Sequence, residues 1–382
     1  MRVSSIPIVR SVAVWSRMVE TGCRLHDGAT HRSHGKRLQS MARSPSELHP
    51  PVTISIAFVK GMLSGVQAQG RPCDVYLGDA RIDPQLLEQP GARVTADQYV
   101  ALFKSLTERL DDEMLGFLSR PLKPGSLALV VRSAASEDSL EKAMRRAART
   151  FGLLQHEVAL EPVRAGSLAG LALRFDNPAV ARQAFVHELL LRSFWRLLAW
   201  LAGGKLRAAR FDFAFESPPY AGSYAKIFPA ALHFEQPQSA FWFDATLLKQ
   251  PVRCDAAALR TFLADARTSV VIPPRPDDLV SSRVRKHLQR SQPVWPDLAA
   301  TADAIHMAPS TLQRRLAADG TSFQALKDEL RRDLAIVRLN TSTVSLAALA
   351  DELGFADSAA FQRAFKNWTG SAPGAYRKGG LS

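Results

Sequence analysis

Apolar residues recur along this chain with two different periods, and the switch between them divides it into elements. From residue 52 the stretch VTISIAFVKGMLSGVQAQ carries helical spacing, and Asp83-Pro84 opens a short helix. Val94-Thr95 leads into a longer helix with Tyr99, Leu102, Phe103 and Leu106 on one face. Residues 127–131 (LALVV) read as a strand, and residues 139–151 as an amphipathic helix with a Ser-x-Glu start. The period then drops to two in LLQHEVALEPV and AGLALRFD. The turn-forming Ala165-Gly166-Ser167 lies between them, which predicts paired strands. A long helix is expected over roughly 178–201, then a strand-like FDFAF from Phe211. Residues 218–246 read as loop, rich in aromatics at Tyr220, Tyr224, Phe228, Phe234, Phe241, Trp242 and Phe243.

The segment VIPPRPDD at 271–278 stacks three prolines between helical patterns and is the best linker in the chain. It predicts four parts: a tail at 1–44, an α+β domain at 45–270, a Pro-rich linker at 271–280, and an all-α domain at 281–382. That last region writes nearly the same text twice. Leu298 opens LAATADAIHMAPSTLQRRLAADGTSF and Leu346 opens LAALADELGFADSAAFQRAFKNWTGSAP, with Gln313-Arg314 and Gln362-Arg363 spaced 49 residues apart. Each copy is a short helix, a tight turn and a second helix, the pattern whose second helix enters a DNA major groove. Pro309 suits the first helical turn, and Ser310, Gln313 and Arg314 then fall at i, i+3 and i+4 on one face. Gln can bond adenine and Arg can bond guanine bidentately, so these types can read base edges. In the second copy Gly354 takes the turn, while Ser358, Ala359, Gln362 and Arg363 share the exposed face, with Phe361 and Phe365 on the buried one. Residues 323–340 form a connecting helix of roughly 27 Å, long enough to present two recognition helices to successive major grooves about 34 Å apart.

Charge adds little to that reading. The formal net charge is +13, but residues 1–44 alone carry 8 Lys and Arg against 2 acids, while 278–382 carry 14 against 10. The tail therefore reads as disordered, or as an over-extended frame with Met41 as the true start. Cys23, Cys73 and Cys254 have no paired spacing, which fits a reducing compartment. The most apolar run, LLLRSFWRLLAWLAGG from Leu189, is broken by Arg192 and Arg196 and reads as a buried helix rather than a membrane span. Cys23, His26, His31 and His34 have zinc-like spacing, but they sit in the tail and no metal or other cofactor is expected. His156, His187 and His233 are scattered without a nucleophile. Cys254 lacks the Pro-Cys context of a DNA-repair nucleophile, so an enzyme is not expected.

The C-terminal motifs resemble the AraC/XylS-type transcriptional regulators over residues 281–377. They are the Gly354-Phe355 turn, Phe361-x-Arg363-x-Phe365-Lys366, Trp368-Thr369-Gly370 and Pro373-x-x-Tyr376-Arg377. The resemblance implies a seven-helix tandem domain bound to double-stranded DNA. It places Ser310, Gln313, Arg314, Ser358, Ala359, Gln362 and Arg363 at base-contacting positions, and makes Thr311, Arg315 and Lys366 phosphate contacts. Ala308 and Ala356 depart from the family's usual Ser before each recognition helix, which puts the N-caps in doubt unless Asp357 substitutes. Ala359 offers no hydrogen bond, so at most it meets a thymine methyl. Residues 79–262 resemble the arabinose-binding-like N-terminal domain shared with ornithine-utilisation regulators. That match rests on Ile82-Asp83-Pro84, Trp200-Leu201, Pro219-Tyr220 with Tyr224, Phe228-Pro229, and Phe234 before Phe243-Asp244. The implied protein is a cytoplasmic regulator responding to an unnamed small-molecule effector, an activator touching RNA polymerase, with a homodimer left open. The alternative is an effector-independent regulator whose N-terminal domain only dimerises. Arg174, Arg192 and Arg196 can pair a carboxylate ligand, but arginines on amphipathic helices are ordinarily solvated, and that is the expectation here. The aromatics of 220–243 are expected to pack on the long helix rather than line a pocket.

Overall fold

The computed structural model describes residues 53–252, 254–269 and 279–377. The tail at 1–44 and the Pro-rich 271–278 lie outside the described residues. Strand β1 (Thr53–Ser55) pairs antiparallel with β2 (Arg93–Thr95) in a two-stranded ribbon. Helix α1 (Ile56–Ala68) follows β1 directly and buries Phe58, Val59, Met62 and Leu63. Helix α2 (Asp74–Asp79) and a 3-10 turn at Pro84–Glu88 lead back to β2. Thr95 then opens α3 (Ala96–Leu110) with a capping box, its hydroxyl accepting from Gln98 N while the Gln98 side chain accepts from Thr95 N. Tyr99, Leu102 and Leu106 are buried on one face of α3, with Phe103 half-buried.

Helices α4 (Ser126–Ala135) and α5 (Leu140–Leu154) precede the main sheet. Strands β3 (Val158–Ala165) and β4 (Leu168–Phe175) form the predicted antiparallel pair. Two helices cover the region expected to hold one: α6 (Pro178–Ala181), capped by Asn177, and α7 (Ala184–Leu201). Strands β5 (Arg210–Asp212), β6 (Ala231–His233) and β7 (Ser239–Asp244) complete a sheet of order β3-β4-β7-β5-β6, antiparallel except where β5 meets β6. Helix α7 packs on β4 and β7. Gly170 is required where β4 passes β7, because a Cβ there would stand 2.5 Å from the Phe241 carbonyl oxygen.

Two sequence expectations change. Residues 127–131 are helix, not strand. Five consecutive apolar residues cannot distinguish the two by period, and the local chemistry decides. Gly125 adopts φ +99°, and the Glu113 carboxylate accepts from the amides of Gly125 and Leu127, both at 2.8 Å, holding the first turn of α4. Residues 218–246 are not all loop, since β6 and β7 run through them. Three adjacent aromatics hid the alternation of β7: Phe241 and Phe243 point inward, while half-buried Trp242 donates to Asp212 at 2.6 Å.

The chain continues through α8 (Ala256–Ser269) to the helical region. That region comprises α9 (Val280–Arg290), α10 (Leu298–Ala304), α11 (Pro309–Ala318), α12 (Phe323–Thr341), α13 (Leu346–Glu352) and α14 (Ser358–Thr369). Among the described residues these are six α-helices rather than seven; the closing element, Pro373–Tyr376, is a 3-10 turn. The two repeats pack differently. Leu288, Ile305, Leu312, Leu316 and Leu330 make a separate core for the first. Ile336, Leu349, Leu353, Phe361, Phe365 and Tyr376 of the second belong to the same continuous core as the N-terminal half.

Candidate nucleic-acid interface

Each repeat is a helix-turn-helix built by matching local devices. Asp297 caps α10 through Ala300 N at 2.8 Å, and Ser345 caps α13 through Ala348 N at 3.1 Å. The turns need a left-handed residue, met by Gly354 at φ +69° in the second unit and by His306 at φ +56° in the first. Recognition helix α11 starts at Pro309 without a side-chain cap at Ala308. In α14, Asp357 supplies the cap, accepting from Ala360 N at 2.6 Å. The missing family Ser is therefore replaced in the second unit and unreplaced in the first.

The predicted contact residues lie on the outer faces. Ser310, Gln313, Arg314 and Arg315 on α11 are exposed, as are Ala359, Gln362, Arg363 and Lys366 on α14; Thr311 and Ser358 are half-buried at the starts of their faces. Leu312 and Leu316, and likewise Phe361 and Phe365, anchor the opposite faces. The side chains of Gln313, Arg314, Arg315, Gln362 and Arg363 form no hydrogen bond or ion pair with other described residues, so their donors are uncommitted. Uncommitted Arg and Gln donors on the exposed face of each helix suit base edges and phosphates.

Helix α12 fixes the units to each other with residues that sequence reasoning passed over. Lys327 Nζ donates to the carbonyls of Trp295 and Pro296, both at 3.1 Å. Arg331 lies over the rings of Trp295 and Phe355, at 5.1 and 4.9 Å, and donates to Gly354 O at 3.2 Å. Trp295 Nε1 in turn donates to Glu352 O at 2.9 Å, and Arg338 pairs with Glu352 at 3.0 Å. The segment flanking the first unit is thus clamped to the turn of the second.

The N-terminal half docks on α12 and α14. Thr53 Oγ1 donates to Oδ1 of buried Asp333 at 2.5 Å, and Arg93 Nε donates to Thr53 Oγ1 at 2.7 Å. Arg93 N donates to the Tyr376 hydroxyl at 3.1 Å, and Gln98 Nε2 to Asn340 Oδ1 at 3.0 Å. A Cβ on Gly91 would stand 3.1 Å from the Thr369 backbone, so the two halves meet at van der Waals distance there. These polar partners are remote in sequence, and no local pattern marks them. The docking surface leaves the outer faces of α11 and α14 open.

Within the N-terminal half, Tyr220 and Tyr224 of the aromatic-rich segment reach α7, while Trp242 lies instead against Asp212 and Arg210. Phe58 contacts Tyr220 and Tyr224 with ring centroids 5.6 and 5.9 Å apart, and both tyrosine hydroxyls donate to Glu188. Burial pushes the Glu188 carboxyl up to about 7. His187 is satisfied by Ser239 Oγ at 2.7 Å and Ala181 O at 2.8 Å. The arginines divide. Arg174 is exposed and paired with Glu161 and Asp176, but Arg192 is 5% exposed, against the expectation that it is solvated, and Arg196 is half-buried. Both face inward on α7 because the helix is covered on more than one side. Among the described residues there is no group of three metal-ligating side chains, and no helix is long and apolar enough to cross a membrane. Cys23, His26, His31 and His34 lie outside the described residues.

A tandem helix-turn-helix with uncommitted Gln-Arg faces, docked on an α+β domain, defines a DNA-binding transcriptional regulator. Residues 70–252 match the arabinose-binding domain of AraC transcription regulators, N-terminal, and residues 301–379 match a helix-turn-helix domain. The chain belongs to the AraC-type transcriptional regulators. It is 27% identical over 326 residues to the ornithine utilization regulator of Pseudomonas aeruginosa, covering 85% of this chain and 96% of that one. It is also 27% identical over 264 residues to the transcriptional regulator VirS of Mycobacterium tuberculosis, covering 68% and 76%. The transcriptional regulator CdpR of Pseudomonas aeruginosa is a solved structure at 18% identity and TM-score 0.30, covering 86% and 99%. These relatives are regulators rather than enzymes.

Proposed function

We propose that this regulator binds an operator as a single chain spanning two successive major grooves, and that its N-terminal half makes the binding responsive to a small-molecule effector. The observation that carries the reading is the pair of exposed, uncommitted Gln-Arg faces joined by the 19-residue helix α12, about 28 Å long. Ser310, Gln313 and Arg314 read bases in one groove. Ser358, Ala359, Gln362 and Arg363 face the other, with Thr311, Arg315 and Lys366 on phosphates. The domains divide at the Pro-rich 271–280, with the sensor at 45–270 and the DNA-binding part at 281–382.

The effector reading draws on the N-terminal domain match and on the docking of β1, β2 and α3 against α12 and the 3-10 turn at Pro373–Tyr376. A ligand that shifts α3 acts on Asn340 through Gln98, and so on the helix that sets the spacing of the two units. The family resemblance supports an activator that touches RNA polymerase in the cytoplasm, with a homodimer left open. Electrophoretic mobility measurements on the upstream DNA of neighbouring operons, with Arg314→Ala and Arg363→Ala, test the assignment. Each variant is expected to weaken specific binding by ~1–3 kcal/mol and relax preference at one base position. Unchanged binding by both at fixed salt refutes the assigned faces.

A further inference from the structure

Helix α7 places three ionisable residues on one inward face at successive turns: Glu188, Arg192 and Arg196. Around them stand Phe58 of α1, Tyr99 of α3, and Tyr220 and Tyr224 from the segment before β6. Nε and Nη2 of Arg192 are buried and have no hydrogen-bond partner, and Nε of Arg196 is in the same condition. The groups acting on Arg192 are Arg196, which repels it, and Tyr99. Glu188 lies one turn away, yet it bonds the Tyr220 and Tyr224 hydroxyls rather than the guanidinium. Burial raises the Glu188 carboxyl and lowers the Arg192 guanidinium to about 9, so the acid is a poor counter-ion near neutrality while the base remains charged. A buried guanidinium fork without an anion is costly unless something outside the described residues supplies one. The Tyr99 hydroxyl donates to no described residue and stands near Arg192.

We infer that Arg192 and Arg196, with Tyr99, form the binding site for the carboxylate of a small organic acid. Two adjacent N–H groups of Arg192 match a carboxylate bidentately, which a lysine does not. The rings of Phe58, Tyr220 and Tyr224, packed on one another, form the apolar wall beside the two arginines, and the Glu188–tyrosine pair can receive a hydrogen-bond donor at the far end of the molecule. Occupancy is coupled to the DNA-binding half by chain adjacency, since Tyr99 lies at the site while its neighbour Gln98 holds Asn340 of α12. The assignment rests on the reading of this half as an effector domain.

Thermal melts of the full-length protein test it, with benzoate and succinate as probes and benzamide and succinamide as their neutral counterparts. At about 10 mM, one or both acids should raise the melting temperature by roughly 2 °C or more, and the amides should not. Arg192→Met should melt at or above the parent, because it removes an unpartnered buried charge, and should lose the response. Arg192→Lys, which keeps charge and loses the fork, should need about tenfold more acid. The assignment falls if neither acid shifts the parent, if the amides act equally, if Arg192→Met keeps the response, or if Arg192→Met melts far below the parent. Operator binding without probe is measured in parallel. If it persists while the acids do nothing, only the carboxylate site is refuted; if it is absent, the regulator reading itself is.

Discussion

At the scale of single residues, the two repeats solve one problem with different side chains. The helix-turn-helix corner demands positive φ, which Gly354 adopts freely and His306 adopts at a cost of roughly 1–2 kcal/mol. His306→Gly should therefore stabilise the protein by up to ~1 kcal/mol in urea unfolding, after the greater flexibility of glycine in the unfolded chain is subtracted. Gly354→Ala should do the reverse and more, since its Cβ would stand 3.0 Å from Trp295 and 3.1 Å from Arg331 as well as straining the turn. Glu188 gives a pH signature. Its folded carboxyl is raised to about 7 by burial, above its ordinary 4.5, so folding favours the protonated form. The stabilising contribution is fully present below about pH 4.5 and is lost as pH rises towards 7, amounting to no more than ~3 kcal/mol. Glu188→Gln should flatten that slope in melts between about pH 5 and 7. A parent protein whose stability is level over that range contradicts the buried acid.

At the scale of elements, helix α12 is a spacer, a clamp and a docking surface together. Its Lys327 and Arg331 hold the Trp295 segment and the Gly354 turn, while Asp333 and Asn340 receive Thr53 and Gln98. Arg331→Ala should loosen the relative placement of the two units, so binding to a two-groove operator should fall more than binding to either half-site alone, as direct titrations can show. The repeats were legible in the sequence because apolar period, turn residue and exposed Gln-Arg pair all recur in register. The docking surface was not legible, because a contact such as Thr53 to Asp333 joins residues 280 positions apart and leaves no period to read. The same limit applies to α4 and β7. A five-residue apolar run and three adjacent aromatics carry no period, and Glu113 and the sheet partners, distant in sequence, decide their conformation. Arg192 misled for a related reason, since helical period cannot tell an arginine facing solvent from one covered by a second layer.

For the whole molecule, core continuity sets an asymmetry between the DNA-reading units. The second unit shares its core with the N-terminal half, whereas the first has a smaller core of its own. Amide hydrogen exchange should show α10 and α11 opening at lower free energy than α13 and α14. Gly91→Val, which crowds the Thr369 backbone, should lower the protection of α14 and leave α11 unchanged. In this arrangement the N-terminal half contacts the second unit directly, and a proposed effector signal would reach the first through α12.

If one chain reads two grooves with two unequal faces, footprinting of the full-length parent, Arg314→Ala and Arg363→Ala on one operator will resolve both faces. The parent should protect two major-groove segments about one helical turn apart, with Arg314→Ala erasing one and Arg363→Ala the other. A single protected segment, or two that survive both substitutions at the same salt concentration, would rule out two-groove reading by these faces.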